Sequence, residues 1–189
     1  MTMLDDLEAL AGRLGDLQEE PADQPARAAV AAILRPGVAG TEILFIRRAV
    51  REGDPWSGQM AFPGGKREPA DRDLLHTAVR ETEEEIGVDL LRHGRLLGPL
   101  ADTSTHRSDL VVRPYVFLLD RAPRLGTSDE VAETIWAPIS PLARGEATGT
   151  YTFQAPGVAL ELPCHRIGEH VVWGLTYRFL ELLFAVARP

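Results

Sequence analysis

The chain has 189 residues, 44% hydrophobic and 25% charged, enough for one sizeable core and short for two independent ones. Its net charge of −8 argues against a nucleic-acid-binding surface, although a local basic pocket for a phosphorylated small molecule would be invisible in that total. One cysteine, Cys164, excludes an intrachain disulfide, and without Cys-x-x-Cys or His-Glu-x-x-His a structural zinc site is not expected.

The start, Met1-Thr2-Met3-Leu4-Asp5-Asp6, lacks the positive region and long apolar core of a secretory signal. No run approaches the roughly 18 apolar residues of a membrane helix. The expectation is a soluble cytoplasmic protein in a reducing compartment, with no membrane partner. Leu4, Leu7, Leu10, Leu14 and Leu17 then recur at helical spacing, with Pro21 and Pro25 closing the element. Its polar face is mainly acidic, unlike a membrane anchor, so residues 1–22 read as a docking helix, which could also pack on a second subunit of a homodimer.

Two short apolar runs, Arg27 to Leu34 and Thr41 to Arg48, flank Pro36-Gly37-Val38-Ala39-Gly40 and read as a hairpin-like pair of buried strands. A polar loop follows from Val50 to Ala61. Gly64-Gly65 then marks a turn whose backbone could approach a phosphate closely. From Leu74, the apolar positions Leu75, Ala78, Val79 and Ile86, with Thr82 between them, make one helical stripe. Asp71 is a credible N-cap for this helix and Gly87 its C-terminal stop.

At about 100° per residue, Glu81, Glu84 and Glu85 fall on one edge beside that stripe, while Glu83 points away. Like charges at such spacing oppose the helix by a few tenths of a kcal/mol per pair, so propensity does not explain the cluster. A divalent cation does: Mg²⁺ takes oxygen ligands from one or two carboxylates, water and substrate phosphates. An ordinary solvated acidic face is the bland alternative.

Beyond the helix, Arg95 to Leu100 and Leu110 to Leu119 read as strands around a polar loop carrying His106, which borders a substrate or is simply exposed. His76 sits on the helix flank away from the carboxylates. Glu130 to Trp136 reads as a further strand, Pro138 to Arg144 as a helical turn, and Tyr151 to Phe153, Val158 to Leu162 and His170 to Trp173 as short strands. Cys164, His165 and His170 read as a buried thiol and surface imidazoles rather than a soft-metal site. A last helix opens at Trp173, with Leu175, Phe179, Leu182, Leu183 and Val186 as its packing stripe.

Phe62-Pro63-Gly64-Gly65-Lys66-Arg67-Glu68-Pro69-Ala70-Asp71, followed by Thr77-Ala78-Val79-Arg80-Glu81-Thr82-Glu83-Glu84-Glu85-Ile86-Gly87, resembles the Nudix hydrolases, most closely their coenzyme A pyrophosphatase branch. Arg80, Glu81, Glu84, Glu85 and Gly87 complete the second half of that family's signature. Asp71 stands where the general signature has Glu, with one extra residue before Arg80. Arg48-Ala49 and Gly58 also match the branch, while Asp54 occupies the place of a second Arg, for which Arg51 could substitute.

The resemblance implies one domain over residues 1–189, with the box at 62–88, folded as an α/β/α sandwich around a mixed β-sheet. It implies hydrolysis of a nucleoside diphosphate linked to another moiety: coenzyme A and its thioesters first, then ADP-ribose, NADH or a damaged nucleotide. A non-catalytic nucleotide sensor is the alternative from another class. Glu81, Glu84 and Glu85 would hold Mg²⁺, with Mn²⁺ as a substitute, and Arg80 would orient them. The proton acceptor would be a box glutamate, Glu130 or Glu133. Arg48, Arg51, Gly64, Gly65, Lys66 and Arg67 would meet the substrate.

Overall fold

In the computed structural model, which describes residues 7–17, 26–54, 56–104, 110–120, 123–155 and 157–188, α1 (Leu7–Gly15) is the docking helix expected from the leucine repeat. Leu10 and Leu14 are fully buried, and the Arg13 guanidinium donates to the carbonyl of Val186 at 3.1 Å. Leu4, Pro21, Pro25 and His106, each part of an expectation above, lie outside the described residues.

The expected hairpin forms from β1 (Ala28–Gly37) and β2 (Gly40–Arg48), antiparallel across Leu34↔Ile43. The chain then passes through β3 (Met60–Ala61), β4 (Gly64–Lys66), α2 (Leu74–Ile86), α3 (Leu90–His93), β5 (Gly94–Pro99), β6 (Thr103–Ser104) and β7 (Val111–Leu119). It continues with β8 (Val131–Pro138), α4 (Ile139–Ala143), β9 (Thr148–Ala155), β10 (Val158–Ile167), β11 (His170–Trp173) and α5 (Gly174–Ala187).

The main sheet runs β3-β2-β1-β7-β5, with β4 on β1, β6 on β7 and β8 on β2. Because β1 pairs parallel with β7 and antiparallel with β2 and β4, the sheet is mixed. Side chains on a strand alternate between faces, and here both faces are apolar. Ala32, Leu34, Ile43, Phe45, Val116 and Leu118 point to one core, with α1 and α5. Ala31, Ile33, Leu44, Ile46, Tyr115 and Phe117 point to the other, with α2. Near-continuous apolar strands of this kind need cover on both sides, and helices supply it, so the expected α/β architecture is the one observed. A second, smaller sheet runs β11-β10-β9.

Four local expectations are corrected. Gly64-Gly65 is not a free turn: it is the strand β4, paired Val30↔Gly64 and Ala29↔Gly65. The N-cap of α2 is Asp73, which accepts from the His76 amide at 2.7 Å, not Asp71; Gly87 does close the helix at φ +71°. His165 is no surface imidazole, being buried on β10 beside Glu181. In α5 the buried face centres on Phe179, Leu180, Leu183 and Phe184, with Leu175, Leu182 and Val186 at its margins. No described helix is long and apolar enough to cross a membrane.

Candidate active site

The site lies where α2 packs over β1 and β4. Gly64 and Gly65 matter there because of what a side chain would strike. A Cβ on Gly64 would sit 2.3 Å from the Ala29 carbonyl oxygen, and one on Gly65 would sit 2.4 Å from Glu81 Oε1. Bare α-carbons thus let the strand lie against β1 on one side and accept a carboxylate on the other.

Glu85 is buried at 4% exposure, and its Oε2 accepts from the Gly64 amide at 2.9 Å. Burial pushes its carboxyl up to about 8, and the charges of Glu81 and Glu130 add to the effect, while the Gly64 bond and Arg48 oppose it. The carboxyl of Glu81 is also raised, by burial first, with Arg80 opposing and Glu84 and Glu130 adding. These groups therefore share one electrostatic neighbourhood. It is acidic, partly desolvated and short of positive charge.

Arg80 organises the edge. Its Nε and Nη2 each donate to Asp71 at 3.0 Å, a bidentate pair, and Nη2 also reaches the Lys66 carbonyl at 3.2 Å. Its Nη1 stands 3.1 Å from Glu81 Oε1 and 3.2 Å from Glu84 Oε2. The Asp71 side chain is wholly buried and also accepts from the Glu68 amide and the Thr77 hydroxyl, both at 2.9 Å. His76 Nδ1 lies 3.0 Å from it. Arg80, first among these partners, holds the Asp71 carboxyl far below the usual carboxylate range. Asp71 is thus the anchor of Arg80, a role invisible in sequence, where an acid three residues before a helix looks like a cap.

The three box glutamates are not drawn into one cage. Glu84 is turned toward Arg80 with its side chain 61% exposed, Glu81 leans on Gly65 and Arg80, and Glu85 on the Gly64 amide. Among the described residues no three His, Cys, Asp or Glu side chains are gathered closely enough to hold a metal ion. Glu81 and Glu84 instead share the Arg80 guanidinium, while Glu85 is held by the Gly64 amide. The donor chemistry nonetheless fits a hard cation: all oxygen, with a buried carboxyl at Glu85 that burial leaves under-compensated.

Around the box, Arg48 Nη2 donates to Asp54 at 3.1 Å while its Nε is buried with no hydrogen-bond partner among the described residues. Arg51 donates to Glu130 at 2.9 Å, both half-exposed. Glu133, the other candidate acid, pairs with Arg47, whereas the charge of Glu130 helps raise the carboxyls of Glu81 and Glu85. Lys66 is exposed. Arg67 donates to the carbonyls of Asp71 and Arg72, which commits its guanidinium to the turn before α2.

The model of the NUDIX domain matches residues 25–155 of this chain. The chain is 35% identical over 170 residues to the mitochondrial coenzyme A diphosphatase of Homo sapiens, spanning 87% of this chain and 72% of that one. It is 33% identical to the Mus musculus protein of the same description, spanning 86% and 80%. In fold it is similar to a NUDIX hydrolase from Alicyclobacillus acidocaldarius, with a TM-score of 0.51 at 21% identity over 88% of this chain and 95% of that one.

Proposed function

The chain belongs to the Nudix hydrolases, and from that premise we propose that it cleaves the diphosphate of coenzyme A and its thioesters, giving 3′,5′-ADP and a 4′-phosphopantetheine species. The observation that carries this reading is the meeting of Glu81 and Glu85 with the glycine strand β4: Glu85 on the Gly64 amide, Glu81 against the bare Gly65. A strand of bare glycines bordered by two carboxylates supports a site for a diphosphate and its cation.

Glu81, Glu84 and Glu85 would hold Mg²⁺ or Mn²⁺, which when bound neutralises charge on the diphosphate and lowers the pKa of water. Arg80, fixed by Asp71, steers Glu81 and Glu84. Glu130 takes a proton from the attacking water as its oxygen bonds to phosphorus and the bridging P–O bond breaks. The leaving phosphate carries away the bridging oxygen with its electron pair. Arg48 and Arg51 meet the phosphates.

One observation favours a second reading. Asp54 neutralises Arg48, which reduces the positive charge on offer to a 3′-phosphate and suits ADP-ribose better. Supplying coenzyme A, dephospho-coenzyme A and ADP-ribose with Mg²⁺ and separating products by chromatography tests both. The preferred reading expects the highest kcat/KM for coenzyme A; a tenfold advantage for ADP-ribose would replace it with the second.

A further inference from the structure

A cleft of about 500 Å³, lined by none of the box glutamates, is left unused by the proposed chemistry. It is bordered by Arg47, Met60, Glu133, Tyr151, His170 and Trp173, and so sits between the main sheet and the small one. Tyr151 stacks on Trp173 at a ring separation of 4.8 Å, and Phe153 flanks Trp173 at 5.2 Å. All three rings are half-buried and belong to neither apolar core. Aromatic side chains gathered away from a core, at the wall of a cleft, suit recognition better than packing.

The polar groups narrow what the cleft takes. Arg47 and Glu133 form an ion pair, with His170 Nε2 4.0 Å from Glu133, placing a donor and an acceptor side by side at the rim. An aliphatic chain laid there would desolvate this pair and offer it nothing. A flat heteroaromatic ring stacks on the aromatic wall and still presents hydrogen-bonding edges to Arg47 and Glu133.

Position argues the same way. Glu133 on β8 lies three residues after Glu130, and Met60 on β3 four residues before Gly64 on β4, so the cleft and the carboxylate site are built from the same two short stretches of chain. The loop between them is continuous: Ser57 lines the cleft and accepts from the Arg51 amide at 2.9 Å, while Arg51 holds Glu130.

Resting on the hydrolase reading above, we propose that this cleft is the purine subsite, with the adenine ring of the substrate stacked on the Tyr151–Trp173 wall and edged by Arg47 and Glu133. The probe is 5′-AMP, titrated into the full chain while tryptophan fluorescence is followed, so no turnover is needed. AMP quenches the wild type; Trp173→Phe keeps the affinity within about threefold but abolishes the quench; Trp173→Leu weakens binding about tenfold or more. A hydrolytically dead Glu85→Gln protein binds AMP as the wild type does. A quench that persists in Trp173→Phe, unchanged affinity in Trp173→Leu, or quenching by 4′-phosphopantetheine with none by AMP each overturns the proposal. The two readings fail separately: a silent AMP titration beside intact hydrolysis sinks only the subsite, and AMP binding without any hydrolysis sinks only the activity.

Discussion

Gly65 offers the cleanest separation of chemistry from stability. The atoms a Cβ would strike are the tip of Glu81, the flexible end of a side chain, so Gly65→Ala displaces a carboxylate and leaves the backbone alone. Activity should fall at least about tenfold with a melting temperature nearly unchanged, read by steady-state assay beside calorimetry. Gly64→Ala is the opposite case. Its φ of +149° and the Ala29 carbonyl at 2.3 Å put the strain in the backbone, at a cost of about 1–3 kcal/mol. Glu85→Gln should cut activity about a hundredfold or more while preserving the fold, because burial raises this carboxyl to about 8 and leaves it largely protonated near neutrality in the metal-free protein, where an amide is close to isosteric. A cooperative thermal transition without turnover is the expected result; a fully active variant contradicts the assigned role.

At the scale of elements, the glycine strand and α2 are joined through Asp71 and Arg80, and this joint sets a pH limit. The folded-state pKa of Asp71 is depressed, so its contribution is fully present above the unfolded-state value near 4 and is lost as pH falls below it. Asp71→Asn should cost about 3–5 kcal/mol at pH 7, by stranding Arg80, and should flatten the loss of stability below pH 4 in denaturant titrations. Sequence made the helix legible, through the stripe of Ala78, Val79 and Ile86 and the stop at Gly87, because periodicity and a left-handed cap are local signals. It placed the start at Leu74 but assigned the cap to Asp71, which tertiary contacts claim for Arg80 while Asp73 caps the helix. The Gly64-Gly65 pair read as a turn for the same reason: its pairing with β1 is made by residues more than thirty positions away.

Across the whole molecule, the two cores on either face of the mixed sheet follow from strands apolar on both sides; the strands were legible in the runs from Arg27 to Arg48 and from Leu110 to Leu119, whereas the layered architecture was expected from the resemblance. The docking of α1 was readable too, and Leu14→Ala should cost about 2–5 kcal/mol in chemical denaturation. What the sequence could not reveal was long-range: the pairing of strands into the small sheet carrying Trp173, the pairing of Arg51 with Glu130, and the division of the box glutamates between Arg80, for Glu81 and Glu84, and the Gly64 amide, for Glu85. Those partners make metal loading the decisive step of the account, since the cation must draw Glu81 and Glu84 from Arg80 and gather them with Glu85. The most direct test is therefore coenzyme A hydrolysis measured against Mg²⁺ concentration in the wild-type and Glu85→Gln proteins. The account predicts saturable Mg²⁺-dependent release of 3′,5′-ADP that chelation stops and the substitution abolishes; equal turnover with and without chelator, or by both proteins, would contradict it.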